Sequence, residues 1–195
     1  MPIPPFTIDG VLPPYVGPDG PGGAFDEMSP YVVTSVEVVA TLGTTDDRKT
    51  ILRGWLDHRA ALRAIGFDRG FQWLDGSFVE DKDPKDVDVV TFLYRPSGVQ
   101  SSTDLLNLMK SNPSLFVHHQ VKTTFRVDFF PIDMNASPEV LVSLTRYFCG
   151  LFSHRRVDEL WKGMLQVRLE DDTSDAVAFA LLIPDPTTSI AGATP

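Results

Sequence analysis

Two aspartates separated by one residue, Asp86 and Asp88, open an apolar run that reads as a β-strand over Val87–Leu93. Residues i and i+2 of a strand face the same way, so both carboxylates project within reach of one cation. Like charges that close repel each other, and a cation between them relieves the repulsion. Magnesium (or manganese) is the expected ion: Mg2+ takes hard oxygen ligands and keeps waters that a phosphate can replace. Asp128, in the apolar run Phe125-Arg126-Val127-Asp128-Phe129-Phe130, is the candidate third acid. A free carboxylate among such neighbours is costly unless it is paired or metal-bound. Asp86, Asp88 and Asp128 are therefore the candidate catalytic and metal-holding set. The chemistry that such a set serves is in-line displacement at phosphorus.

Gly76-Ser77 precedes the pair and fits a phosphate-binding turn. Glycine lets the backbone approach a ligand, and serine adds a hydroxyl and an N–H. A helix placed after the turn would add its N-terminal dipole. Lys82, Lys85, Lys122 and Arg126 are candidates for further positive charge; Lys85 and Arg126 join Gly76 and Ser77 as the nucleotide-binding set. Arg126 can equally pair with a carboxylate on its own sheet face.

Other residues have plainer readings. Asp75 and Asp133 suit turns and caps. His118-His119 would face opposite ways on a strand and lacks the spacing of a zinc site. Cys149, in an apolar helical stretch, reads as buried filler. Arg155, Arg156 and Lys162 either end a helix in solvent or reach a triphosphate or an acidic partner. No Gly-x4-Gly-Lys-Ser/Thr element and no Gly-x-Ser-x-Gly elbow occurs, which excludes P-loop and hydrolase-elbow chemistry.

The elements that must position these groups are punctuated in the sequence. Thr34 and Glu37 have capping-box spacing before a short helix over Val36–Leu42. Thr45 or Asp46 caps a second helix, whose apolar residues Ile51, Leu52, Trp55, Leu56, Leu62 and Ile65 recur at helical spacing until Gly66. Strands are expected at Phe71–Leu74, Val87–Leu93, Thr123–Phe130 and Gly163–Leu169. Helices are expected at Thr103–Lys110 and from Pro138 to about Phe152. Asp175–Leu182 reads as helix or strand. Residues 1–30 are Pro- and Gly-rich and form a strap or a flexible arm, with the interspersed apolar residues favouring the strap. Residues 31–183 form the domain, and 184–195 a flexible tail.

The chain has 195 residues, 43% of them apolar and 22% charged, with a formal net charge of -9. That composition fits a globular α+β (or α/β) domain. Its acidity makes extended nucleic acid an unnatural partner. The single cysteine, Cys149, excludes an internal disulfide and suits a reducing, cytoplasmic setting. No apolar run approaches the roughly 20 residues that span a bilayer.

The order Gly76-Ser77, Asp86-x-Asp88, Asp128 resembles the nucleotidyltransferase superfamily of DNA polymerase β, over roughly Gly66 to Phe130. The Pro-rich start, Asp75-Gly76-Ser77-Phe78-Val79 and Lys162–Leu169 are similar to an uncharacterised bacterial nucleotidyltransferase-like family. The resemblance implies a small mixed sheet with helices packed on one side, a nucleoside triphosphate donor and a pyrophosphate leaving group. The expected activity is transfer of a nucleoside monophosphate to a hydroxyl on a protein, a tRNA or a small molecule. The chain departs from minimal members at Phe78-Val79-Glu80, where they carry Ala-Arg-Gly. That departure supports the alternative of a catalytically inactive fold that binds nucleotide or a protein partner, as in a toxin–antitoxin or phage-defence pair.

Overall fold

The computed structural model describes residues 2–183; the expected tail at 184–195 lies outside the described residues. The chain is an α+β domain around a mixed five-stranded sheet. Its strands are β1 (Tyr31–Val33), β2 (Gly70–Asp75), β3 (Val87–Leu93), β4 (Val127–Asp133) and β7 (Leu165–Arg168), in the order β1-β7-β2-β3-β4. Strand β2 runs antiparallel to both of its neighbours, while β3 and β4 are parallel. Two further short strands, β5 (His154–Arg155) and β6 (Leu160–Trp161), form a separate hairpin.

Strand alternation divides the core in two. Val87, Val89, Leu74, Val127, Phe129 and Leu165 face a large apolar cluster. It is closed by α1 (Ser35–Leu42), α2 (Asp46–Ala64), α5 (His118–Phe125) and α7 (Asp172–Leu181). Trp73, Val90, Phe92 and Ile132 face the other way and pack under Phe148 and Phe152 of α6 (Pro138–Phe152). Helices thus cover both sides of the sheet, not one. The apolar residues of β2 and β3 dictate this, because both of their faces must leave water.

The helix starts obey their caps. Thr34 Oγ1 accepts from the Glu37 N–H, and Glu37 returns a bond to the Thr34 N–H. Thr45 caps α2, with its hydroxyl accepting from the Arg48 N–H. Helix α3 (Ser102–Ser111) is capped by Ser101, and Pro113 opens the single turn α4 (Pro113–Phe116). Residues 172–181, readable either way, form helix α7, capped by Asp171.

One expected strand is corrected. Residues 118–125 are helix, and the strand begins only at Val127. Arg126 stands between them at φ 55, the left-handed conformation that ends helices. Thr123, Thr124 and Phe125 favour strands by residue type, but helical spacing of Val121 and Phe125 puts both against α2. Gly54 of α2 makes that packing feasible: a Cβ there would stand 2.1 Å from the Phe125 carbonyl oxygen.

The Pro-rich segment lies along the domain. Leu12 donates its N–H to Val79 and accepts from the Gly163 N–H; Asp81 donates to Gly10. Ile3, Val11 and Leu12 are buried. Beneath the sheet, buried Arg59 joins Asp175 and Gln72, both at 2.8 Å, and Arg168 O. Gln72 also accepts from the Trp55 indole, so the buried guanidinium and indole are paired in the core, while Asp175 Oδ1 has no hydrogen bond among the described residues. Among the described residues no helix is long and apolar enough to cross a membrane.

Gly54→Ala tests the seating of α5. Helix propensity alone would stabilise the variant by about 1 kcal/mol. The clash with Phe125 should instead destabilise it, by about 1–3 kcal/mol. Urea denaturation measures the sign; a stabilised variant would refute the close contact.

Candidate functional site

Register builds the site. Asp88 is the ladder partner of Asp75 on β2 and of Asp128 on β4. The three carboxylates therefore form one row across adjacent strands. The next rows on the same face are Trp73–Val90–Phe130 and Phe71–Phe92–Ile132. Asp86 precedes β3 by one residue and shares the face of Asp88 by parity. The row borders a cleft of about 300 Å³, lined also by Gly76, Ser77, Glu80, Lys82, Lys122, His154, Arg155, Arg156 and Lys162.

The turn after Asp75 is shaped by its glycine. Gly76 has φ +73, and a Cβ there would lie 1.6 Å from Asp88 Oδ2. Residues Gly76–Val79 form a four-residue 3-10 turn and not an α-helix. The expected helix dipole behind Ser77 is thus replaced by a turn held from outside. Arg48 of α2 donates to the carbonyls of Phe78, Glu80 and Lys82 at 2.8, 2.6 and 2.9 Å. Lys162, beside the β5–β6 hairpin, donates to Gly76 O at 2.9 Å and reaches Glu80 Oε1 at 3.3 Å.

Lys162 and Asp75 depart from their plain sequence readings. Lys162 is buried, not solvated, and Asp75 stands at the cap position of the Gly76 turn without a side-chain capping bond, 3% exposed in the acid row. Lys162 Nζ lies 3.2 Å from Asp75 Oδ1 but off the hydrogen-bonding line, leaving that buried oxygen without a hydrogen bond. Burial pushes the Asp75 carboxyl up to about 7, against the opposing pull of Lys162.

Asp88 is raised to about 6, first by burial, then by the charges of Asp128 and Asp86; Lys122 and Arg156 oppose the shift. It has no hydrogen-bonding side-chain partner among the described residues. Asp86 and Asp128 are held by Lys122, whose ammonium lies 2.8 Å from Asp86 Oδ2 and 2.8 Å from Asp128 Oδ2. Burial works against that ammonium, but its bonds to the two carboxylates outweigh it and raise its pKa. His118 Nε2 takes the other oxygen, Asp128 Oδ1. His118 is on helix α5, one turn before Lys122, and not on a strand; that four-residue spacing was the signal available in the sequence. For Asp75 the signal was strand parity with Trp73 and Phe71.

The cleft thus brings together Gly76, Ser77, Asp86, Asp88 and Asp128 of the sequence-derived set. Lys85 and Arg126 are corrected. Neither lines the cleft; the Arg126 guanidinium donates to Lys85 O at 3.1 Å and faces Asp47 at 3.5 Å. The left-handed turn at Arg126 breaks the strand parity that would have aligned it with Asp128. Arg155 and Arg156 line the opposite wall. Arg155 is tied to Asp158 and Asp9 O, whereas Arg156 has no ion pair among the described residues. Asp133 binds Arg95 and accepts from the Asn135 N–H, a turn role as expected. Cys149 is half-buried against the α6 cluster.

The donors suit a hard divalent cation in type: carboxylate oxygens on neighbouring strands, one of them free of direct bonds, with Gly76 leaving Asp88 its space. Among the described residues no three acidic, histidine or cysteine side chains are already gathered as an ion cage. Lys122 stands between Asp86 and Asp128.

These shifts set a pH dependence. Asp88 has a folded pKa above its unfolded value near 4, so its contribution to stability is greatest below about pH 4 and is lost as pH rises through about 6. Asp88→Asn removes the ionisation. In metal-free urea denaturation, the variant should gain stability relative to wild type between about pH 4 and pH 7. A difference that stays flat with pH would contradict the geometry.

A family model described as a family of unknown function (DUF6932) matches residues 4–168. No curated protein and no solved structure matches the chain. The match extends from the Pro-rich strap through β7 and includes every acid of the row, so the chain belongs to the DUF6932 family.

Proposed function

We propose that this chain is a Mg2+- or Mn2+-dependent nucleotidyltransferase that moves a nucleoside monophosphate from a nucleoside triphosphate to a hydroxyl acceptor. The observation that carries the reading is the in-register row Asp75–Asp88–Asp128, with Asp86 on the same face and Gly76-Ser77 at its end. A polymerase-β-like fold and a cytoplasmic setting belong to the same proposal; the mixed sheet and the single cysteine are compatible with them.

Asp86, Asp88 and Asp128 would hold the cation. Bound there, the cation supplies charge neutralisation at the phosphate and lowers the pKa of the attacking hydroxyl. The Ser77 hydroxyl and the turn backbone border the triphosphate path. Arg156, on the opposite wall and without an ion pair among the described residues, supplies the positive charge that the missing Ala-Arg-Gly segment would have given. Asp128 accepts the acceptor's proton, and His118, hydrogen-bonded to Asp128, orients its carboxylate. Holding donor phosphate and acceptor against fixed strands is itself a large part of such catalysis.

The test is calorimetric binding of each NTP with Mg2+, followed by turnover, on wild type, Asp86→Ala/Asp88→Ala and Asp88→Ala. Metal-dependent binding should vanish in the double variant. Asp88→Ala should lose turnover by at least about a thousandfold with its fold intact. Unchanged turnover in Asp88→Ala would refute the mechanism. Failure of the wild type to bind any NTP would move the reading to a non-catalytic fold with a protein partner.

A further inference from the structure

The cation that already occupies the acid row is part of the chain. Lys122 bridges Asp86 and Asp128, and His118 holds the remaining oxygen of Asp128. Three of the four carboxylate oxygens of these two residues are therefore engaged by one face of α5. A divalent ion cannot take Asp86 Oδ2 and Asp128 Oδ2 while the ammonium sits 2.8 Å from each.

Lys122 is also free to leave. Its side chain is 41% exposed, whereas Lys162 is 3% exposed and locked under the Gly76 turn. A lysine carries a compact charge on a flexible stem, which suits a mobile counter-ion better than the planar fork of arginine. The helix below it is fixed, because Gly54 lets α2 seat the end of α5. Side-chain rotation alone therefore moves the charge. The cleft that receives it has Arg155, Arg156 and Lys82 on its walls but no further acid facing Lys122 beyond the row and Glu80. Glu80 is already engaged by Lys82 and Lys162.

We propose that Lys122 is a built-in counter-ion that keeps the acid row closed to free divalent metal, and that yields the row only when a triphosphate offers its ammonium a new partner. The inference rests on the nucleotidyltransferase reading and deepens it: metal and triphosphate enter as one unit. Without triphosphate, an incoming metal must displace an ammonium that then has only water. With it, the ammonium moves onto phosphate oxygens and the metal takes the carboxylates. By linkage, each ligand then tightens the other. The arrangement also keeps the row from holding adventitious cations between turnovers.

The experiment measures Mn2+ binding, by the electron paramagnetic resonance of free Mn2+ and by calorimetry, and metal-free binding of inorganic tripolyphosphate, which carries charge without choosing a base. Wild type is compared with Lys122→Met, Lys122→Arg and Asp88→Ala/Lys122→Met. Nucleotide-free Mn2+ should bind Lys122→Met at least about tenfold more tightly than wild type, and the double variant should lose that gain. Metal-free tripolyphosphate should bind Lys122→Met at least about tenfold more weakly. Lys122→Arg, which keeps the charge but not the compact ammonium, should fall between wild type and Lys122→Met in both. In wild type, which needs no variant to fold, Mn2+ alone must bind more weakly than the Mn2+–tripolyphosphate complex.

Equal Mn2+ affinity in wild type and Lys122→Met overturns the inference, as does a gain that persists in the double variant. If that happens while NTP binding still depends on Asp86 and Asp88, the nucleotidyltransferase reading survives and only the counter-ion role falls. If no form binds Mn2+, with or without tripolyphosphate, both fall together.

Discussion

The structure is organised around a repulsion. Strands β2, β3 and β4 bring Asp75, Asp88 and Asp128 into one row, with Asp86 beside them. Carboxylates on adjacent strands repel, and the more so when water is partly excluded. Two lysines offset that cost from opposite sides. Lys122 enters from α5 beside β4, and Lys162 enters from beside the β5–β6 hairpin. Burial raises the pKa values of Asp75 and Asp88 first, and the neighbouring carboxylates add to the shift. Such a row costs the fold stability wherever its charges go unanswered, and the proposed ligand chemistry is placed there for that reason.

The scaffold holds those lysines and the Gly76 turn in place, and helix α2 contributes most to that. Arg48 ties down the carbonyls of the loop from Phe78 to Lys82, Gly54 admits α5, and Arg59 joins β2 to α7 through Gln72 and Asp175. Each is a polar or steric contact within an otherwise apolar interface. Such contacts specify one arrangement where apolar packing alone would tolerate several.

The Pro-rich strap has a similar role. It cannot form a helix or an interior strand, yet its backbone bonds to the loop after Ser77 and to Gly163, and Asp9 O accepts from Arg155. The strap therefore couples the turn wall of the cleft to the hairpin wall. Proline reduces the entropy lost in ordering such an extended segment, which suits a long connection with little secondary structure.

The sequence by itself determined the α+β class, the β3 strand, the capped starts of α1 and α2, and helix α6, because periodicity and capping act over a few residues. It also marked out Gly76, Ser77, Asp86, Asp88 and Asp128, which the cleft does bring together. Only the tertiary structure decided that residues 118–125 are helix, that Arg126 and Lys85 turn away, and that Lys122, Lys162, His118 and Asp75 join the acids. Those outcomes depend on contacts between residues far apart in the chain: Gly54 against Phe125, Asp75 opposite Asp88, Lys162 under Gly76. Local propensity is silent about such pairings. The charge that a carboxylate row requires is a property of the assembled sheet, and only the assembled sheet shows which cations answer it.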